Sequence, residues 1–135
     1  MHIKNVMTNH VLTVTPKHTV SDAAEIMKRL DTGFLPVGEN DRLVGTVTDR
    51  DIVVRGLADG KSADTAIADV MSKNVLYCFE DQEVSEVADN MSEQQVRRMP
   101  VMNRDKRLVG VVSLGDLWTE GDQADANKTL KGVSE

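Results

Sequence analysis

Two turns between a predicted strand and a predicted helix carry residue types that can bind phosphate and sugar groups. They span Gly45–Asp51 and Gly110–Asp116. In each turn a hydroxyl residue ends the strand, and an Asp lies three residues later in the first helical turn. Unpaired N–H groups at a helix start favour a phosphate. The hydroxyl can donate to a phosphate oxygen, and the carboxylate can accept both hydroxyls of a ribose.

The same spacing also fits a helix cap. In a capping box, an acidic side chain reaches back to the backbone N–H of the hydroxyl residue three positions earlier. The pairs Thr48/Asp51 and Ser113/Asp116 match that pattern. Spacing alone favours the capping interpretation, and the ligand-binding interpretation stays open beside it.

The two turns belong to an internal repeat. A shift of 64 positions lays residues 6–37 over 70–101 with ten identities in 32 positions. A shift of 65 lays residues 43–52 over 108–117 with five identities in ten. Unrelated sequences of ordinary composition would share roughly 2 or 3 residues over such a length. The chain therefore contains two copies of one unit, at 3–60 and 66–120, followed by a polar tail at 121–135.

Each copy predicts a β-α-β-β-α unit. Apolar residues spaced i, i+3, i+4 and i+7 indicate a first helix, and β-rich runs bounded by polar turns indicate strands. One unit is too small to bury its own helix stripes, so we predict an α/β (α+β) fold in which both repeats pack as one pseudo-two-fold module. The apolar stripe of the first helix comprises Val20, Ala23, Ala24, Met27 and Leu30. The predicted strands are Val11–Thr15, Phe34–Val37, Leu43–Thr48, Val75–Phe79, Met99–Met102 and Leu108–Ser113.

Composition excludes several classes of protein. The 135 residues carry a formal net charge of −6, which disfavours a general nucleic-acid binder. No apolar run approaches the ~20 residues of a membrane span, and the N-terminus has no export signal. The single cysteine, Cys78, excludes an internal disulfide and suits a cytoplasmic location. Because no catalytic triad, carboxylate pair or metal cluster has convincing spacing, we expect neither an enzyme nor a metal site.

Several short motifs recur in the same order in both copies. These are Val-Met-Thr and Val-Met-Ser at the openings, Leu35–Val37 and Met99–Val101 around the prolines, and the two turns. In that order and duplication the chain resembles a tandem pair of CBS (cystathionine β-synthase) domains over about Ile3–Glu120. It is especially similar to the stand-alone bacterial CBS-pair proteins.

The resemblance implies a regulatory module with clefts between the two repeats that bind the adenosine part of AMP, ADP, ATP or NAD. Asp51 and Asp116 would hold the ribose, and Thr48 and Ser113 would meet its phosphate edge. Adenine would lie between the first strand and the segment before the proline. The alternative is a ligand-independent interaction or scaffold module. The residues implied in binding are Leu12, Thr13, Thr32, Gly33, Phe34, Pro36, Thr48, Arg50, Asp51, Leu76, Tyr77, Val96, Arg97, Arg98, Met99, Pro100, Ser113 and Asp116.

The second copy has Arg97-Arg98 where the first has Gly33-Phe34. The planar guanidinium of Arg suits phosphate oxygens, including those of a ligand held mainly by the first copy. A solvated surface position is the equally weighted alternative. The further basic residues Arg104, Lys106 and Arg107 are predicted to form a solvated turn.

The second helix of each copy predicts self-association. Both helices, at Ile52–Leu57 and Leu114–Trp118, carry apolar faces that a small monomer cannot cover. Related modules pair these helices across a two-fold axis, so the resemblance implies a homodimer. Because we expect no attached effector domain, any signal must pass to a separate partner protein or end in sequestration of the ligand.

Overall fold

The computed structural model describes residues 1–9 and 11–120, with side chains through 117. It is a mixed α+β structure, which confirms the predicted class. The helices are α1 (Val20–Leu30), α2 (Asp49–Asp51), α3 (Val84–Gln94) and α4 (Leu114–Glu120). The strands are β1 (Phe34–Glu39), β2 (Arg42–Thr48), β3 (Cys78–Phe79), β4 (Arg98–Met102) and β5 (Leu108–Ser113). The expected tail at 121–135 and His10 lie outside the described residues.

The chain divides into two compact units that do not follow the sequence repeats. Leu12–Val75 forms one, which we call the contiguous unit. The described residues of Met1–Val11 and Leu76–Glu135 form the other, which we call the composite unit. The opening segment of the first sequence repeat thus belongs to the same unit as the second repeat. None of the helices in the described part of the chain has the length and apolar character needed to span a bilayer.

In the contiguous unit, β1 and β2 pair antiparallel with Phe34 opposite Thr48. The first predicted strand is reduced to Val14, which forms a parallel bridge to Val37. This strand is short because only two backbone bonds hold it, from the Val14 N–H to Pro36 O and from the Gly38 N–H to Val14 O. The prediction of a strand over Val11–Thr15 was therefore too long.

Helix α1 begins where the sequence predicts, at a capping box formed by Thr19 and Asp22. Its buried face is narrower than the predicted apolar stripe. Val20, Ala23 and Met27 are buried, whereas Ala24 and Leu30 are exposed. Leu30 occupies the last turn of the helix. The prediction that these two residues complete the buried stripe was wrong.

The second helix of the contiguous unit is irregular. After α2 the chain continues as a π-helical segment, Ile52–Gly56, and a 3₁₀ turn, Leu57–Asp59. Gly60 ends this helix with a left-handed backbone (φ 77°), a conformation that glycine adopts without a steric penalty. Only Ile52 and Gly56 of the π segment are buried, so the opposite face is open.

In the composite unit, β3 pairs parallel with β4, and β4 pairs antiparallel with β5. The N-terminal segment adds to this sheet, because Thr8 bridges to Val111 on β5. Ile3 and Val6 bring apolar side chains into the same core. The buried core comprises Ile3, Val6, Cys78, Val84, Val87, Ala88, Met91, Met99, Val101, Val112, Leu114 and Leu117.

Candidate functional site

The first strand-to-helix turn forms a complete capping box. The Thr48 N–H donates to Asp51 Oδ2 at 2.9 Å, and the Asp51 N–H donates to Thr48 Oγ1 at 3.1 Å. Both residues are half-buried. These two hydrogen bonds hold the hydroxyl and the carboxylate side by side at the end of β2.

The second turn has the same geometry. The Ser113 N–H donates to Asp116 Oδ2 at 3.0 Å, and the Asp116 N–H donates to Ser113 Oγ at 3.1 Å. The capping interpretation is therefore confirmed in both repeats. It does not exclude ligand binding, because a carboxylate offers two oxygens with about four acceptor sites. The same side chain can cap the helix and still meet a sugar hydroxyl.

The segment before each proline lies against the turn of its own repeat. The Asp49 N–H donates to Gly33 O at 3.0 Å, and the Leu114 N–H donates to Arg97 O at 2.9 Å. Sheet register adds a second link, since Phe34 faces Thr48 and Arg98 faces Ser113. Each unit thereby brings together two of the three segments that the sequence assigned to its site.

The third segment, at the first strand, presents apolar side chains to solvent. Leu12, Leu76 and Tyr77 are 47%, 45% and 46% exposed. Large apolar side chains with this exposure suit contact with a flat aromatic ligand. Three other predicted binding residues differ, because they are buried within the strands: Pro36, Met99 and Pro100.

In the composite unit, Tyr77 contacts an aromatic and charged cluster. Its ring meets Phe79 edge to face at 5.6 Å between centroids. The Arg104 guanidinium stacks 4.1 Å from the Phe79 ring centroid and donates through Nε and Nη2 to Asp81. Hydrogen bonding from Arg104 lowers the pKa of Asp81 below its ordinary value. Arg104 is exposed, as predicted, but it has a defined structural role.

The site residues predicted from the sequence did not include Asp49, which the structure places against Gly33 of the pre-proline segment. A Cβ atom built on Gly33 would lie 2.6 Å from Asp49 Oδ2. The carboxylate therefore covers the space above Gly33. One sequence signal could have found it, because the repeat comparison sets Asp49 against Leu114 within an otherwise matched turn.

Two of the remaining sequence expectations concern a metal site and a subunit contact. In the described part of the chain, no group of three or more His, Cys, Asp or Glu side chains could hold a metal ion. The side chain of Trp118, a candidate subunit contact, lies outside the described residues.

Comparison with known proteins places this geometry in a family. The protein-family model described as "CBS domain" matches residues 3–57 and 67–117 of this chain. The chain belongs to the CBS domain family. The CBS domain-containing protein YhcV of Bacillus subtilis is 37% identical over 115 residues, which cover 85% of this chain and 81% of that protein.

Solved CBS structures share the fold. Hypoxic Response Protein I, solved with two coordinated zinc ions, is 35% identical with a TM-score of 0.77. The alignment covers 87% of this chain and 96% of that one. The CBS domain pair of protein MJ0100, in complex with 5′-methylthioadenosine and S-adenosyl-L-methionine, is 28% identical with a TM-score of 0.77. That alignment covers 87% of this chain and 92% of the other, so a CBS pair of this fold binds adenosyl ligands.

Proposed function

We propose that this CBS pair is a regulatory module that binds adenosyl ligands, one site being built in each repeat. The ligand would be an adenine nucleotide (AMP, ADP or ATP), NAD, or a related adenosyl compound. The observation that carries the proposal is the duplicated frame, in which a capped carboxylate, a hydroxyl and the pre-proline segment adjoin at the end of a strand. The adenosyl complex of the MJ0100 CBS pair supports the ligand class.

In this proposal Asp51 and Asp116 accept hydrogen bonds from the ribose hydroxyls while they retain their caps. Thr48 and Ser113 lie at the phosphate edge of the sugar. The adenine ring lies against the exposed side chains of the first strand, which are Leu12 and Thr13 in one repeat and Leu76 and Tyr77 in the other. The module would act on a separate partner protein in a cytoplasmic setting, without catalysis of its own.

A ligand-independent scaffold is the second candidate function. The observation that favours it is that Asp51 and Asp116 both have a structural task as helix caps. Under this alternative the two Asp residues stabilise the turns, and adenosyl compounds have no effect on the protein.

The substitutions Asp51→Asn and Asp116→Asn separate the two functions. The amide oxygen of Asn can still accept the cap N–H, so the fold should persist, whereas the carboxylate that accepts ribose hydroxyls is lost. In calorimetric titration with adenosine, we expect each variant to lose one site, and the double variant to lose both. Ligand at ~100 times its dissociation constant should stabilise the parent protein by ~2.7 kcal/mol.

Two results would support the scaffold instead. One is a parent protein whose melting temperature and titration heat do not respond to adenosine, AMP, ATP or NAD. The other is a double variant that binds adenosine as tightly as the parent. The substitution Asp69→Asn, on an exposed carboxylate outside the proposed sites, is the matched control.

We also propose that the module forms a homodimer through the open face of the second helix of the contiguous unit. Val53, Val54 and Leu57 are 54%, 45% and 66% exposed there. Three adjacent apolar side chains on one helix face are more typical of an interface than of a solvated surface.

A further inference from the structure

The two repeats surround their proposed ligands with opposite charge. In the first, the turn holds Asp49, Arg50 and Asp51, and the facing segment Thr32–Phe34 is uncharged, so the local sum is +1 − 2 = −1. In the second, Arg97 and Arg98 face a turn whose charged residue is Asp116, so the local sum is +2 − 1 = +1. The hydroxyl and the carboxylate of the turn are present in both repeats, but the net charge around them has the opposite sign.

The inversion has a defined geometric origin. Asp49 Oδ2 lies 2.6 Å from the position of a Gly33 Cβ, so the carboxylate occupies the place where a side chain would begin. In the second repeat, Arg97 supplies a side chain at that place and is exposed. Leu114, which occupies the position of Asp49 in the second turn, is only 5% exposed and packs into the core. The link from the turn N–H to the segment carbonyl is the same in both, at 3.0 Å and 2.9 Å.

Arg50 does not reverse the sign in the first repeat. Its side chain is exposed, and its backbone N–H donates to Asp49 Oδ1 at 2.8 Å. This bond fixes the carboxylate near Gly33. A phosphate brought to that place would face a like charge at short range, which is unfavourable even when solvent screens it. In the second repeat two guanidinium groups can neutralise a phosphate and donate to it in pairs.

We infer that the two sites select different classes of adenosyl ligand. The inference rests on the proposed adenosyl-binding function. The first repeat takes a ligand whose 5′ substituent is uncharged or cationic, such as a thioether or a sulfonium. The second repeat takes a ligand with a 5′-phosphate. Asp49 is the residue that rejects phosphate in the first site, and Arg97 and Arg98 are the residues that select it in the second.

Calorimetric titration of the intact chain with adenosine, 5′-methylthioadenosine and AMP tests this inference. Asp51→Asn and Asp116→Asn identify which repeat binds each compound. We expect AMP binding to be lost in Asp116→Asn, and 5′-methylthioadenosine binding at the first site to be lost in Asp51→Asn. The double variant Arg97→Gly, which introduces the residue found at Gly33 in the first repeat, and Arg98→Gln should weaken AMP binding. We expect a loss of affinity of about tenfold or more, because charge-assisted hydrogen bonds are removed. The affinity for adenosine should change far less.

The reciprocal variant is Asp49→Asn, which keeps an oxygen near Gly33 but removes its charge. It should strengthen AMP binding at the first site by about tenfold relative to adenosine. Controls of matched charge outside the sites are Lys106→Gln in the composite unit and Asp59→Asn in the contiguous unit, which should leave the AMP-to-adenosine ratio unchanged. The inference is overturned if AMP binds first at the Asp51 site, or if neither charge change alters that ratio. A parent protein that binds none of the three compounds would instead refute the proposed function itself.

Discussion

At the scale of single residues, Asp51 and Asp116 show what local sequence can determine. A capping box involves atoms only three residues apart, so its formation follows from the local pattern, and both boxes form with distances of 2.9–3.1 Å. A ribose contact depends on a cleft assembled from distant segments, which spacing alone cannot specify. The role of these residues in binding therefore stays a proposal.

Asp49 shows the opposite limit. Its contact with Gly33 depends on the register that sets Phe34 opposite Thr48 across the sheet. Register is a tertiary property, since a slip by one residue would turn every side chain to the other face. The sequence could show that the repeats differ at this position, but not that the carboxylate would cover a glycine.

Cys78 carries a testable consequence of burial at the same scale. It is 1% exposed, and burial raises its pKa to about 12. We expect the thiol of the folded protein to react with a disulfide reagent at pH 8 only as fast as the protein unfolds, and to react at once in denaturant. A native rate equal to that of a small free thiol would contradict this.

The same shift predicts a dependence of stability on pH. Folding raises the pKa of Cys78, so the neutral thiol contributes to the free energy of unfolding. This contribution is complete below the unfolded pKa of about 8.5 and is lost as pH rises toward 12. The free energy of unfolding should thus fall more steeply with pH above 9 in the parent than in Cys78→Ala. Equal slopes would contradict the prediction, and the comparison removes the effect of other alkaline groups.

At the scale of elements, the long periodic segments were predictable and the short ones were not. Helix α1 spans the predicted apolar stripe, strand β5 has the predicted bounds, and β2 differs by one residue, because each segment has its own hydrophobic pattern. The runs Val11–Thr15 and Val75–Phe79 are β-rich, yet they form a single bridge and a two-residue strand. Strand length depends on how many partner groups the neighbour offers, which composition does not reveal.

Two glycines at equivalent positions let a segment from elsewhere in the chain lie close to each sheet. A Cβ on Gly45 would lie 2.7 Å from Ser72 O, and a Cβ on Gly110 would lie 2.7 Å from Thr8 O. Those carbonyl groups accept backbone hydrogen bonds from β2 and β5 respectively. The glycines are needed here for close approach.

We expect Gly45→Ala and Gly110→Ala each to reduce the free energy of unfolding by about 1–3 kcal/mol, because the methyl group displaces a bonded segment. Gly115→Ala is the matched control, since its nearest neighbour would be 3.7 Å away and α4 would gain a better helix former. Urea unfolding measures all three. Hydrogen exchange should increase in β2 for the first variant and in β5 for the second. Wild-type stability of both variants would show that these segments are not tightly docked.

At the scale of the whole molecule, sequence order and structural grouping diverge. The opening motif of each repeat, at Val6-Met7 and Val70-Met71, is nearly the same in both copies. Either copy of the motif could therefore pack beside either sheet. The structure places residues 1–11 with the second repeat and residues 66–75 with the first. Self-similar segments carry no local signal for this choice, so a repeat alignment cannot supply it.

The exposed apolar face of the second helix in the contiguous unit predicts that the molecule forms a homodimer. Val53, Val54 and Leu57 are exposed on one side of a helix whose other side buries Ile52 and Gly56. A self-complementary contact across a two-fold axis would cover this face with one further copy. Light scattering at micromolar concentration should therefore give twice the 14.9 kDa of one chain.

The substitution Leu57→Glu should return the mass to that of one chain, because it places a charge at the centre of an apolar contact. Leu30→Glu is the matched control, since Leu30 is also an exposed leucine near a helix end but lies on α1 rather than on the helix that carries this face. It should leave the dimer intact. Dissociation by both variants would indicate a general loss of apolar association rather than this interface, and a parent protein of 14.9 kDa with and without AMP would refute the dimer.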